Sequence, residues 1–210
     1  MLRLTGNYTE RAPRFVNTSG WCALAQPDRP LRADAARNRA RVLEVAYDTF
    51  AAEGLSVPID EIARRAGVGA GTVYRHFPTK DDLFRAVIED RIRNIVDDGR
   101  ALLASGDPGQ ALFMFLRSMV LRWGATDRGL ADALAGVGID IKGAVPEAEE
   151  AFLGLLGELL RAAQKAGTVR RDVDVPDVKA IVVGCQAMQA YQPDTAERLM
   201  EVVLDGLRAV

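Results

Sequence analysis

Residues 58–77 read PIDEIARRAGVGAGTVYRHF, and how this stretch is read decides the fold. Pro58 suits the first turn of a helix, where its missing N–H matters least. Ile59, Ile62 and Ala63 then fall on one side at helical spacing, so a short helix is predicted from about Pro58 to Ala66. Gly67 permits a tight turn and Val68 plugs it from below. After GVGAG a second helix carries TVYRHF, with Val73 turned toward the isoleucines. Ala66 is small enough to let the two helices approach. Two short helices joined by a glycine-containing turn and locked by apolar residues make a helix-turn-helix. Its second helix offers Thr72, Tyr74, Arg75 and His76, which place a hydroxyl, a phenol, a guanidinium and an imidazole on one short element.

Outward from this unit the pattern stays helical. Upstream, Val42, Leu43, Ala46, Phe50 and Ala51 recur at three- and four-residue steps, predicting a helix from about Ala35 to Glu53 that Gly54 stops. Residues 1–32 differ: Gly, Pro, Asn, Thr and Arg mix without a period, and Pro13, Pro27 and Pro30 punctuate them, the pattern of a disordered extension. Downstream, Thr79 with Asp82 three residues later nearly matches a capping box. Helices are expected near 80–104, 109–124, 128–141, 147–166, 177–190 and 194–209, several opened by a proline such as Pro108, Pro146 or Pro176. Residues 167–175 read as a loop. With no strand of period two and no internal repeat, the expected fold is all-α. A three-helix DNA-binding head (33–79) would precede a body of about six helices (80–210).

Charge is unevenly spread. Residues 1–80 hold 12 Lys/Arg against 8 Asp/Glu, while residues 81–210 hold 15 against 21. A basic front on an acidic body is what is expected when one end approaches a polyanion. Cys22 and Cys185 match no metal or redox spacing, and Cys185 lies in the apolar run AIVVGCQAM as a core residue would. No apolar run reaches the length of a membrane span, and the N-terminus lacks the apolar stretch of a signal peptide, so a cytoplasmic location is expected. One histidine, two separated cysteines and no nucleophile elbow leave little material for acyl-transfer or metal chemistry. An enzyme is not expected, and neither a cofactor nor a metal site.

The phrases VLEVAYDTFAAEG and DEIARRAGVGAGTVYRHFPTKDDLFRAV, within about Arg37 to Val87, resemble the N-terminal domain of the TetR family of transcriptional regulators. The resemblance covers about a quarter of the chain with several motifs at the right spacing. It implies that Ala70, Gly71, Thr72, Tyr74, Arg75, His76 and Lys80 lie at the DNA. Thr72, Tyr74 and His76 would meet the sugar-phosphate backbone, Lys80 would reach a phosphate, and Arg75 would meet a base edge. Ala70 stands where many relatives carry a polar group, and it can touch a thymine methyl but not hydrogen-bond. Val57 and Pro58 replace the usual hydroxyl at the start of the first motif helix. Asp60 stands where some relatives are basic. Specificity is therefore expected to lean partly on DNA shape.

One such motif holds only a few base contacts, so two copies on a palindromic operator are expected. The resemblance places the homodimer interface on the helices near 177–190 and 194–209. Val178, Ile181, Val182, Cys185, Met188 and Gln189 form a stripe on the first, and Leu199, Val202, Val203 and Leu207 on the second. Stripes this apolar are either core or interface. The resemblance also implies a pocket for a small, largely apolar effector within the body, with Phe84, Phe113, Met119 and Trp123 as candidate lining residues. Binding there would shift the helix that starts near Lys80 and change the spacing of two reading heads. The function expected is that of a ligand-responsive repressor. The rival, a non-specific or architectural DNA binder, fits the acidic body less well.

Overall fold

Val42, Leu43, Ala46 and Phe50 lie along one side of α1 (Asp28–Glu53), and all four are buried. This arrangement comes from a computed structural model in which residues 28–122 and 145–209 are described. α1 starts at Asp28 rather than near Ala35, so it takes in residues 28–32 of the segment read as an extension. Pro30 explains the difference: in a first helical turn its ring costs no hydrogen bond, and it opens the helix instead of interrupting it. Residues 1–27 of that extension lie outside the described residues, as does the helix expected near 128–141.

Gly54 ends α1 with φ at +76°, and Gly67 ends α2 (Ile59–Ala66) with φ at +66°. These left-handed positions favour glycine because a Cβ would crowd the following carbonyl. α3 (Ala70–His76) follows after three residues. α4 (Lys80–Ser105) opens with a full capping box: Asp82 N–H donates to Thr79 Oγ1 (3.1 Å) and Thr79 N–H donates to Asp82 Oδ2 (3.0 Å). α5 (Pro108–Arg117) runs into a π-helical turn over Ser118–Arg122, then come α6 (Pro146–Lys165), α7 (Val175–Tyr191) and α8 (Ala196–Leu207). Pro108, Pro146 and Pro176 each stand in a first turn, and Asp107 and Asp174 cap their helices through their side chains. The 167–175 loop forms the one strand-like pairing among the described residues, an antiparallel bridge between Val169 and Arg208.

The buried side chains separate into two cores. The head core joins Phe50, Ile62, Val73 and Phe77 to Leu83, Phe84, Val87 and Ile88 from the first half of α4. The body core joins Ile95 and Val96, further along α4, to Leu112, Phe115, Leu155, Leu159, Val178 and Leu204. α4 therefore contributes to both cores, with Ile92 packed against both clusters. At Gly99, α4 packs closely on α5 and α6. A Cβ there would stand 2.5 Å from a Leu155 methyl and 3.0 Å from the Phe115 ring.

The stripe predicted on α7 faces inward: Val178, Val182 and Cys185 are buried in the body core. Burial pushes the Cys185 thiol pKa up, as befits a core cysteine. Leu207 is buried likewise, while Val202 is 62% exposed. The outward side of α7 carries Ala180, Val183, Gly184, Ala187 and Tyr191, with Val183 58% and Tyr191 89% exposed. Helical periodicity reports that a stripe exists, and only the packed neighbours reveal which face it covers.

Candidate nucleic-acid interface

α2 exists to hold α3. Ile59, Ile62, Ala63 and Ala66 are buried against Val73, and Val68 packs partly against the same core. Pro58 gives α2 no side-chain cap, in line with the missing hydroxyl there. With Val73 buried, and Phe77 buried just past its end, α3 turns Tyr74, Arg75 and His76 outward. Tyr74 is 43% exposed, Arg75 and His76 are exposed, and Thr72 and Ala70 are half-buried. A Cβ on Gly71 would meet nothing within 4 Å, so this glycine faces open space. Lys80 sits half-buried in the first turn of α4, and burial lowers its ammonium pKa. α3 thus carries Ala70, Gly71, Thr72, Tyr74, Arg75 and His76, and Lys80 opens α4 four positions after His76.

The arginines of the head fall into two groups. Arg64 and Arg65 both turn to Glu61: Arg64 Nε donates to Oε2 (2.8 Å) and Arg65 Nε to Oε1 (2.8 Å). Arg65 also pairs with Glu53 at the end of α1, with a second hydrogen bond at 3.2 Å. Arg64 first, then Arg65, hold the Glu61 carboxyl down at about 2. Arg37 is paired with Asp34. Among the described residues, Arg39, Arg41 and Arg75 have no such carboxylate partner. Arg39 lies with its guanidinium 5.6 Å from the Phe77 ring centroid. Arg41 reaches toward the Gly67 turn. The Glu61 fork escaped the reading of the sequence, although its signal was present, since a glutamate three and four residues before two arginines is the favourable helical spacing.

Of the candidate effector residues, the three that are described fall in two cores. Phe84 belongs to the head core, edge-on to Phe50 with centroids 5.8 Å apart, and so does not line a body pocket. It falls on the head-facing half of α4, where the first turns after the cap must cover Phe50. Phe113 and Met119 are buried in the body core, with Arg208 stacked 4.7 Å from the Phe113 ring centre. Trp123 lies outside the described residues. The body does present a groove of about 450 Å³ between α4 and α6, over Ile92 and Val96 and rimmed by Arg93, Asp97, Arg100 and Glu147. Among the described residues no helix is long and apolar enough to cross a membrane.

A helix-turn-helix head with an open polar face, joined through one shared helix to an all-helical body, defines a DNA-binding regulator. Residues 42–87 match the family model of the bacterial regulatory proteins, tetR family, and residues 107–209 that of the SbtR-like transcriptional regulator C-terminal domain. The chain is 65% identical to the TetR transcription regulatory protein from Mycobacterium vanbaalenii, with a TM-score of 0.73 over 86% of this chain and 100% of that one. It is 34% identical to a TetR transcriptional regulator from Streptomyces coelicolor, with a TM-score of 0.68 over 82% of this chain and 99% of the other. It is 25% identical over 191 residues to the HTH-type transcriptional regulator SrpR of Pseudomonas putida, covering 87% and 89% of the two chains. This protein belongs to the TetR family of transcriptional regulators.

Proposed function

We propose that the protein is a ligand-responsive repressor that binds a palindromic operator as a homodimer. The observation that carries this reading is the outward face of α3, where Tyr74, Arg75 and His76 stand exposed on a helix fixed by its buried opposite side. In this reading Arg75 meets a guanine edge. A bidentate guanidinium contact discriminates by about 1–3 kcal/mol, or roughly 5–150-fold. Thr72, Tyr74 and His76 hold the backbone, Lys80 takes a phosphate at the head of α4, and Ala70 and Gly71 let the helix approach the groove closely. The exposed Val183, Tyr191 and Val202 on α7 and α8 support a dimer through the outer faces of these helices. The domains follow the packing, with a head ending inside α4 and a body that binds the effector and dimerises. The effector acts by binding the two arrangements of the heads unequally.

Selection of bound fragments from a random DNA pool tests this, because a recovered palindrome reports specificity, symmetry and half-site spacing together. Arg75→Ala should then relax preference at one base position of each half-site. Lys80→Ala should weaken all sequences alike and flatten the salt dependence by about 1 per protomer. Recovery of no common sequence, or base preferences unchanged in Arg75→Ala, would refute the reading.

A further inference from the structure

We infer that the first turn of α6 is a strut that sets the spacing of the two reading heads, gripping the head core through Val145 and α7 through Glu149. The inference rests on the homodimer reading of the exposed faces of α7 and α8. Val145 is the residue before α6 and is 1% exposed. Among the described residues it is the one buried member of the head core that comes from beyond α4, and Ala148 packs against the same cluster. Further along, α6 belongs to the body, with Leu155, Leu156, Leu159 and Leu160 in the body core. A helix fixed in one core therefore begins inside the other. The contact is stiff for local reasons. Pro146 stands in the first turn and restricts the backbone of the residue before it, and a β-branched valine has few rotamers.

Glu149 lies in the same turn, its N–H donating to the Val145 carbonyl (3.1 Å). Its carboxylate accepts from Lys179 Nζ of α7 (2.5 Å), and both side chains are partly buried. Such a pair is screened by salt less than a surface pair. Lys179 stands four positions before the exposed Val183, so the two share a side of α7. One turn of α6 thus touches the head core and the helix proposed to meet the second protomer. Neither link runs along the backbone of α4. In a dimer, moving this turn moves each head relative to its partner. DNA reads that movement as half-site spacing, since each base pair shifts a half-site by about 3.4 Å and turns it by about 35°. Val145 and Glu149 are in this sense positioning residues, which set where the reading face stands without touching DNA.

The test uses the full chain and the palindrome recovered by selection, rebuilt with its centre lengthened or shortened by single base pairs. Dissociation constants are measured by fluorescence anisotropy. The wild type should prefer one spacer. Val145→Ala, which trims the contact with the head core, should narrow the gap between the best and the next spacer by roughly 2–30-fold. Base preferences within each half-site should stay as they are, because the reading face is untouched. Glu149→Gln, which removes the charge facing Lys179 and leaves the head core alone, should narrow the gap too. Leu159→Val, a loss of packing in the same helix but within the body core, should keep the wild-type spacer profile at a lower melting temperature. A wild-type profile in Val145→Ala or in Glu149→Gln would overturn the inference, whatever their melting temperatures. An equal narrowing in Leu159→Val would also overturn it, since spacing would then report stability alone. If the wild type selects a palindrome at one spacing and the two strut variants change nothing, this inference alone fails. If the wild type is a monomer or accepts every spacer, the homodimer reading fails and the strut fails with it.

Discussion

The packing of α4 at Gly99 makes two glycine-to-alanine changes act in opposite directions. Gly99 in α4 and Gly154 in α6 both lie inside helices, so replacing either by alanine should gain the same propensity, about 0.5–1 kcal/mol. At Gly154 a Cβ meets nothing within 4 Å, and that gain stands alone. At Gly99 the new methyl would fall 2.5 and 3.1 Å from the two Leu155 methyls and 3.0 Å from Phe115, both of which are fully buried. Overpacking a filled core costs about 1–3 kcal/mol. Gly99→Ala should therefore lose on the order of 1 kcal/mol net. For a chain of this size each kcal/mol moves the melting temperature by about 2–4 °C. Thermal unfolding followed by circular dichroism, at one protein concentration, should show Gly154→Ala melting above wild type and Gly99→Ala below it. Leu155→Val should recover part of the loss when combined with Gly99→Ala, as coupled neighbours do. If Gly99→Ala melts as high as Gly154→Ala, the crossing is not close-packed and the reasoning is wrong.

The Glu61 fork predicts a pH dependence. Its folded-state pKa lies near 2, below the ordinary 4.5, so its stabilisation is present above pH 4.5 and is lost as pH falls through about 2. The melting gap between wild type and Glu61→Gln should be open at pH 6 and close toward pH 2, and a gap that does not change with pH refutes the pairing. Gly67→Ala should cost about 1–2 kcal/mol, because its φ of +66° is left-handed, while Gly67→Asn should cost less; equal melting temperatures for the two variants would count against this. Val202→Arg, on the exposed face of α8, should convert a dimer to a monomer in sedimentation analysis with an unchanged circular dichroism spectrum. A variant that remains dimeric at the same concentration would move the interface elsewhere.

The parts of the fold written in local chemistry were legible in the sequence. The limits of α2 and α3 follow from Pro58, Gly67 and the isoleucine spacing, and the start of α4 from Thr79 and Asp82, because caps and turns are decided by neighbours in the chain. What sequence left open was decided at a distance. Phe84 and Phe113 are both apolar residues on helices, and nothing local says that one packs on Phe50 and the other in the body. The stripe on α7 was visible but not its direction, since Val178 and Val182 find their partners on other helices. At the reading face, the outward set from Thr72 to His76 followed from the inward set. The contact between Arg39 and Phe77 did not, because it joins residues 38 positions apart.

The sharing of α4 between two cores has a practical meaning for anyone building hybrid regulators. A splice at Thr79, where the cap signals a new element, would strip Leu83, Phe84, Val87 and Ile88 from the head and leave Phe50 facing water. Between Ile88 and Ile95, α4 carries Glu89, Asp90, Arg91, Ile92, Arg93 and Asn94, and of these only Ile92 contributes to either hydrophobic cluster. A graft made within those six residues would keep each core with its own half of the helix. Only Ile92 would need to be matched to its new neighbours. The exchangeable unit would then end in the middle of α4, within a mostly polar stretch of about one and two-thirds turns.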